Sequence, residues 1–258
     1  MENNTFNKLN LKWNYTEHAK HYDKRADYSS DAISKLIQLT EVNEISKIAD
    51  IGAGTGKLTK ELLKVNLNVK SIEPNDAMRE IGIINTKGNS VTWSYGTGEK
   101  TGLDDNSVDA AFFGSSFNVV DQNVCLNEVC RILKLNGWFA CMWNHRQLDD
   151  PIQKYIENII KSHISDYSYG TRRQDPTKVI TENNNFTTVK NIKKEFSWAM
   201  KKNDLIIAWK SHATLRRQAK DKLTFENIIE DIKSYLYNMK DIIEVPYSTN
   251  IFASQKIK

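Results

Sequence analysis

Short apolar runs alternate with amphipathic stretches through the first 145 residues. Ala32, Ile33, Leu36, Ile37 and Leu39 recur at helical spacing behind Ser30 and Asp31, either of which can cap a helix there. Ile48-Ala49-Asp50-Ile51 is a run too short for a helix and enters a glycine cluster. Lys57–Leu67 then has helical periodicity, Val69–Glu73 reads as a strand, and Asn75–Asn85 reads as a helix with Asn75 as its N-cap. Val91–Tyr95 and Val108–Phe113 are further strands, Gln122–Leu133 is a helix, and Leu135-Asn136-Gly137 turns into a fifth strand, Trp138–Trp143. This alternation predicts βαβ units, and so an α/β fold with a doubly wound, mostly parallel sheet and helices on both faces. Right-handed crossovers put the C-terminal ends of its parallel strands along one edge, where ligands bind.

The pattern changes after Asn144. Pro151–Ile164 predicts an amphipathic helix, Ser165–Asn185 a polar loop, and Val189–Phe196 a sixth strand. Helices over Asp204–Ala219 and Phe225–Met239 precede a terminal strand, Asn250–Gln255, which makes seven in all. We therefore expect an N-terminal lid and first helix over residues 1–40, a main domain over 41–258, and a helical cap inserted at about 146–222.

The balance of 36 basic against 32 acidic residues leaves a net charge of +4, which permits an acidic substrate without requiring one. The Lys/Arg clusters at 193–194, 201–202 and 216–222 read mostly as solvated faces, so nucleic acid is a disfavoured partner. No run approaches the about 18 apolar residues of a membrane span. Three cysteines, Cys125, Cys130 and Cys141, lack metal-ligand spacing, so no metal is expected, and a reduced cytoplasmic setting is.

Asp50-Ile51-Gly52-Ala53-Gly54-Thr55-Gly56 lies between a strand and a helix. Such a loop lets the backbone approach a ligand closely and offers it helix N-terminal N–H groups. Glu73 follows about 20 residues on, at the end of the next strand, where an acid can accept hydrogen bonds from ribose hydroxyls. The spacing is GxGxG, where a nicotinamide dinucleotide would favour GxGxxG. An adenosine-type cofactor follows.

With Ser71-Ile72-Glu73-Pro74-Asn75-Asp76-Ala77-Met78 and Gly96-Thr97-Gly98-Glu99, this segment resembles the class I S-adenosylmethionine-dependent methyltransferases. The stretch Asn127–Gly137 is similar to the family's E-x-x-R-V-L-K-P-G-G, with Leu135 and Asn136 in place of the proline and the first glycine. More weakly, Tyr22-Asp23-Lys24-Arg25 and Trp209–Arg216 look like the methyltransferase type 11 branch that contains trans-aconitate methyltransferases. The resemblance implies S-adenosyl-L-methionine as cofactor, held by Tyr22, Arg25, Asp50, Gly52, Ala53, Gly54, Gly56, Glu73, Pro74, Met78, Gly98, Glu99, Ser115, Phe117 and Asn118.

The implied reaction is methyl transfer to a small-molecule acceptor, directed to oxygen or carboxyl, by in-line displacement. A base is needed only where the acceptor must lose a proton. His145, directly after strand five, is the candidate catalytic residue. Tyr169, Arg172 and His212 are candidate acceptor contacts, and Tyr155, Tyr167, Trp198 and Trp209 could line the pocket. The competing readings are an RNA (tRNA) methyltransferase and a non-catalytic binding protein of the same fold. Oligomeric state is not legible in the chain.

Overall fold

The computed structural model describes residues 22–65 and 67–258, without the side chains of Thr171, Arg172 and Ala213. The side chain of the candidate acceptor contact Arg172 lies outside the described residues. The elements are α1 (Ser30–Thr40), β1 (Lys47–Ile51), α2 (Lys57–Leu63), β2 (Asn68–Ile72), α3 (Asp76–Asn85), β3 (Val91–Ser94), β4 (Val108–Gly114) and α4 (Gln122–Ile132). Then come β5 (Leu133–Arg146), α5 (Pro151–His163), α6 (Thr177–Glu182), β6 (Lys190–Lys201), α7 (Lys202–Lys210), α8 (Ala213–Gln218), α9 (Lys222–Tyr237) and β7 (Ile242–Gln255).

All seven strands form one sheet in the order β3-β2-β1-β4-β5-β7-β6. The first five are parallel, and β7 enters antiparallel between β5 and β6. The α/β class, the doubly wound sheet and the strand count agree with the sequence reading. β1 and β4 are buried on both faces, which is why their apolar residues run consecutively and do not alternate. One apolar cluster lies under α4 and a second under α1 and α2, on opposite faces.

Helix starts follow local chemistry. Asn75 Oδ1 accepts from Met78 N, Asp121 from Val124 N and Asp150 from Gln153 N, each such cap being worth about 1 kcal/mol. The cap of α1 is Ser29, one residue before the expected pair. Between α4 and β5, Val108 pairs with Leu133 but Ala110 pairs with Trp138. Residues 134–137 therefore leave the ladder, with Asn136 at φ 63°, where the sequence predicted a turn.

Several expectations are corrected by the C-terminal half. The predicted loop Ser165–Asn185 contains a 3₁₀ turn, Gly170–Arg173, and α6, whose Ile180 is fully buried. The single helix expected over Asp204–Ala219 is two, because the His212 ring caps α8, with Nδ1 accepting from Leu215 N at 3.2 Å. β7 begins eight residues earlier than predicted, since Pro246 disguises its first half. β6, inside the stretch 146–222, belongs to the sheet. The elements over the site are α5, α7, α8 and α9, which share a third apolar cluster with the ends of β6 and β7.

Candidate active site

The glycine loop follows β1 and is tied to β2: Gly52 N and Ala53 N both donate to Ile72 O, at 2.8 and 3.1 Å. A Cβ at Gly52 would stand 2.5 Å from the Ser116 Cβ, so only glycine fits against the β4 end. Gly54 adopts φ 58°, and a Cβ there would meet nothing within 4 Å. The space above the loop is open.

Glu73, 7% exposed, ends β2 with both carboxyl oxygens engaged by backbone. Oε2 accepts from Gly54 N and Oε1 from Asn75 N, both at 2.8 Å. Burial raises its pKa, which those amides partly offset. Each oxygen retains a second lone pair for a ligand hydroxyl. Asp50 stands behind the loop, fully buried, with Oδ2 accepting from Thr59 Oγ1 at 2.6 Å and Oδ1 without a partner among the described residues. Burial pushes its pKa up to about 7.

Ser115, directly after β4, holds φ 61°, a conformation that costs a non-glycine residue about 1 kcal/mol or more. Its Oγ lies 3.0 Å from Tyr28 Oη. Tyr28 belongs to a strap, residues 22–29, laid across the strand ends. Asp23 accepts from Thr55 Oγ1 (2.6 Å) and Asn85 Nδ2 (2.8 Å), Asp27 pairs with Lys57 (2.6 Å), and Ser29 N donates to Thr249 Oγ1 (2.9 Å). Arg25 packs over the Tyr22 ring at 4.3 Å and donates from Nε and Nη2 to Ser211 at the end of α7.

One cavity lies over the glycine loop; neither Glu73 nor Asp50 is among its lining residues. Tyr22, Arg25, Gly52, Ala53, Gly54, Ser115, His145, Tyr169 and His212 all line it. Asn250 Nδ2 donates to His145 Nδ1 at 3.2 Å, so the neutral ring carries its proton on Nε2. Burial, with Glu157 nearby, pushes the Tyr169 pKa up to about 12, so it stays a neutral phenol.

Other expected contacts lie elsewhere. Gly56 packs near Trp93, Pro74 and Met78 flank the Glu73 turn, and Gly98 fits closely beneath Val120 and Cys125. Glu99 Oε1 accepts from Asp121 N, at the start of α4. Phe117 is not brought to the cavity: it is fully buried against the Phe113 and Phe139 rings. Asn118 accepts from Trp143 Nε1 and lines a separate cavity beside α6. Sequence reasoning missed Tyr28, Lys57, Asn144, Arg146 and Tyr247, all of which line the main cavity. Only Asn144 and Arg146 had a legible signal, their place beside His145 at a strand end.

Residues 49–141 match the model of a family described as a methyltransferase domain. An uncharacterized methyltransferase of Mycobacterium tuberculosis is 33% identical over 122 residues, covering 47% of this chain and 48% of that protein. The chain thus spans about half the length of the first curated relatives it matches. The YcgJ protein of Bacillus subtilis superimposes with a TM-score of 0.54 at 15% identity, covering 89% of this chain and 100% of that one. Phosphoethanolamine N-methyltransferase 2 of Haemonchus contortus, solved with phosphomonomethylethanolamine and S-adenosylhomocysteine, gives 0.55 at 14% identity, covering 94% and 58%. In sequence, residues 49–141 are similar to a methyltransferase domain, and the sheet that carries them has the fold of those solved structures. The similar segment runs from β1 into β5.

Proposed function

We propose that the protein is an S-adenosyl-L-methionine-dependent methyltransferase acting on a small-molecule acceptor at oxygen, most directly at a carboxylate. One observation carries the reading: the buried Glu73 carboxyl and the open, left-handed Gly54 lie 2.8 Å apart at the edge where β1 and β2 end. That pair fits an adenosine ribose on the acid and a close-lying chain over the glycine.

The cofactor supplies an activated methyl carbon. Gly52, Ala53 and Gly54 provide the backbone surface against which it would lie, Glu73 binds its hydroxyls, and the strap with Tyr22 and Arg25 shields the cavity from water. Catalysis then rests on holding the acceptor in line. With Nδ1 accepting from Asn250, the His145 ring is suited to orienting an acceptor and unsuited, in that tautomer, to taking a proton through Nδ1. This favours a carboxylate, which has no proton to lose, over a hydroxyl.

A thermal melt with S-adenosylhomocysteine, S-adenosylmethionine or NAD tests the reading. Ligand at about 100 times its Kd adds about 2.7 kcal/mol of stability. The expected result is a shift with both adenosyl compounds and none with NAD. A shift with NAD alone overturns it.

A further inference from the structure

The charged side chains of the cavity lining are all cationic. Arg25, Lys57, Arg146 and Arg173 line the cavity, and among the described residues no carboxylate lines it. Lys57 is neutralised by Asp27, and Arg25 is held by Ser211. Arg146, the last residue of β5, differs. Its guanidinium stacks 4.3 Å from the ring centroid of Trp209 and 5.9 Å from that of Tyr247, and Nε donates to Tyr247 Oη at 3.0 Å. Both rings are buried, at 1% and 5% exposure, so the plane of the guanidinium is held. Of its five N–H donors, the four on Nη1 and Nη2 have no protein acceptor among the described residues, and no acid pairs with it there.

Burying part of a guanidinium without a counter-charge is costly, and the fold gains no ion pair in return. A planar fork of free donors matches the two oxygens of a carboxylate or phosphate. Arg173 reinforces the same wall: its guanidinium lies 4.9 Å from the Tyr169 ring centroid, and Nη2 donates to the Arg146 carbonyl at 2.7 Å. His145 precedes Arg146 on β5 and lines the same cavity.

We propose that Arg146 is the specificity-determining residue of this site and that it binds an oxyanion of the methyl acceptor, making the acceptor an anionic small molecule. The inference rests on the methyltransferase reading for the word acceptor, but the anion subsite is testable without it.

The test is calorimetric titration of the full chain with succinate, phenyl phosphate and uncharged succinamide, each with and without saturating S-adenosylhomocysteine. Succinate or phenyl phosphate binds and succinamide does not, and the anion that binds identifies the oxyanion as carboxylate or phosphate. Arg146→Met weakens that binding about tenfold or more while leaving S-adenosylhomocysteine affinity unchanged. Lys178→Met, which removes an exposed charge on α6, changes neither. Arg146→Lys keeps the charge without the fork and binds the anion at an intermediate level, which serves should the methionine variant fold poorly. Equal anion binding by the parent and Arg146→Met, or no anion binding in either arm, overturns the proposal. Absent S-adenosylhomocysteine binding overturns the cofactor reading instead, and the arm without it still decides Arg146.

Discussion

The Glu73 carboxylate accepts from the Gly54 amide at 2.8 Å, so the acid that ends β2 also holds the glycine loop that follows β1. Its other oxygen takes the Asn75 amide, at the start of α3. Glutamine offers only one oxygen for two N–H groups and turns a donor toward the other. Glu73→Gln is therefore expected to lose about 1–3 kcal/mol in the ligand-free protein and to abolish the S-adenosylhomocysteine shift. Melts of both proteins with and without ligand check this; an undiminished shift would remove Glu73 from the cofactor site.

Asp50 makes stability depend on pH in a definite direction. Its carboxyl titrates near 3.8 in an unperturbed setting and near 7 in the folded chain. Between those values the folded protein keeps a proton that the unfolded chain has released, so this contribution is full below about pH 4 and fades as pH rises through about 7. In Asp50→Asn the contribution is absent. The Tm of the parent minus that of the variant should decline across the interval, and parallel curves would show that Asp50 is ionised throughout.

His145 has its Nδ1 occupied by the Asn250 amide. Removing a general base typically costs 10²–10⁴ in rate, whereas losing an orienting hydrogen bond costs far less. Once an acceptor is in hand, His145→Gln is expected to lower kcat by about tenfold or less, with no acidic limb disappearing from the pH profile. A loss of about 10³ together with that limb would identify His145 as a base after all.

Arg25 and Lys24 both tie the strap to α7, with unequal expected weight. Lys24–Asp204 is an exposed pair at 3.1 Å, of a kind worth about 0–1 kcal/mol. Arg25 is part-buried against Ser211 and Tyr22 at the cavity wall. Arg25→Ala should speed amide hydrogen exchange over residues 22–29 and weaken S-adenosylhomocysteine severalfold, while Asp204→Asn should do neither. Equal exchange in both variants would mean that the strap is held by its other bonds, those of Asp23, Asp27 and Ser29.

The alternation that builds β1 to β5, the glycine loop, the acid at Glu73, the Asn75 cap and the strand-end position of His145 were all legible in the chain. Each is a local matter: periodicity, a cap or a glycine acts within a few residues, and parallel topology then places the strand ends together. The tertiary structure alone decided which neighbours enter the cavity. Arg146 meets Trp209 and Tyr247, 63 and 101 positions away, and Tyr28 reaches Ser115 across 87. The chain after β4 shows the same limit from the other side. Ser115 takes a left-handed conformation, and beyond it Phe117 goes to the core and Asn118 to Trp143. A site assembled from contacts this distant in the chain leaves no periodic trace, because nothing local constrains residues that meet only after the sheet has formed.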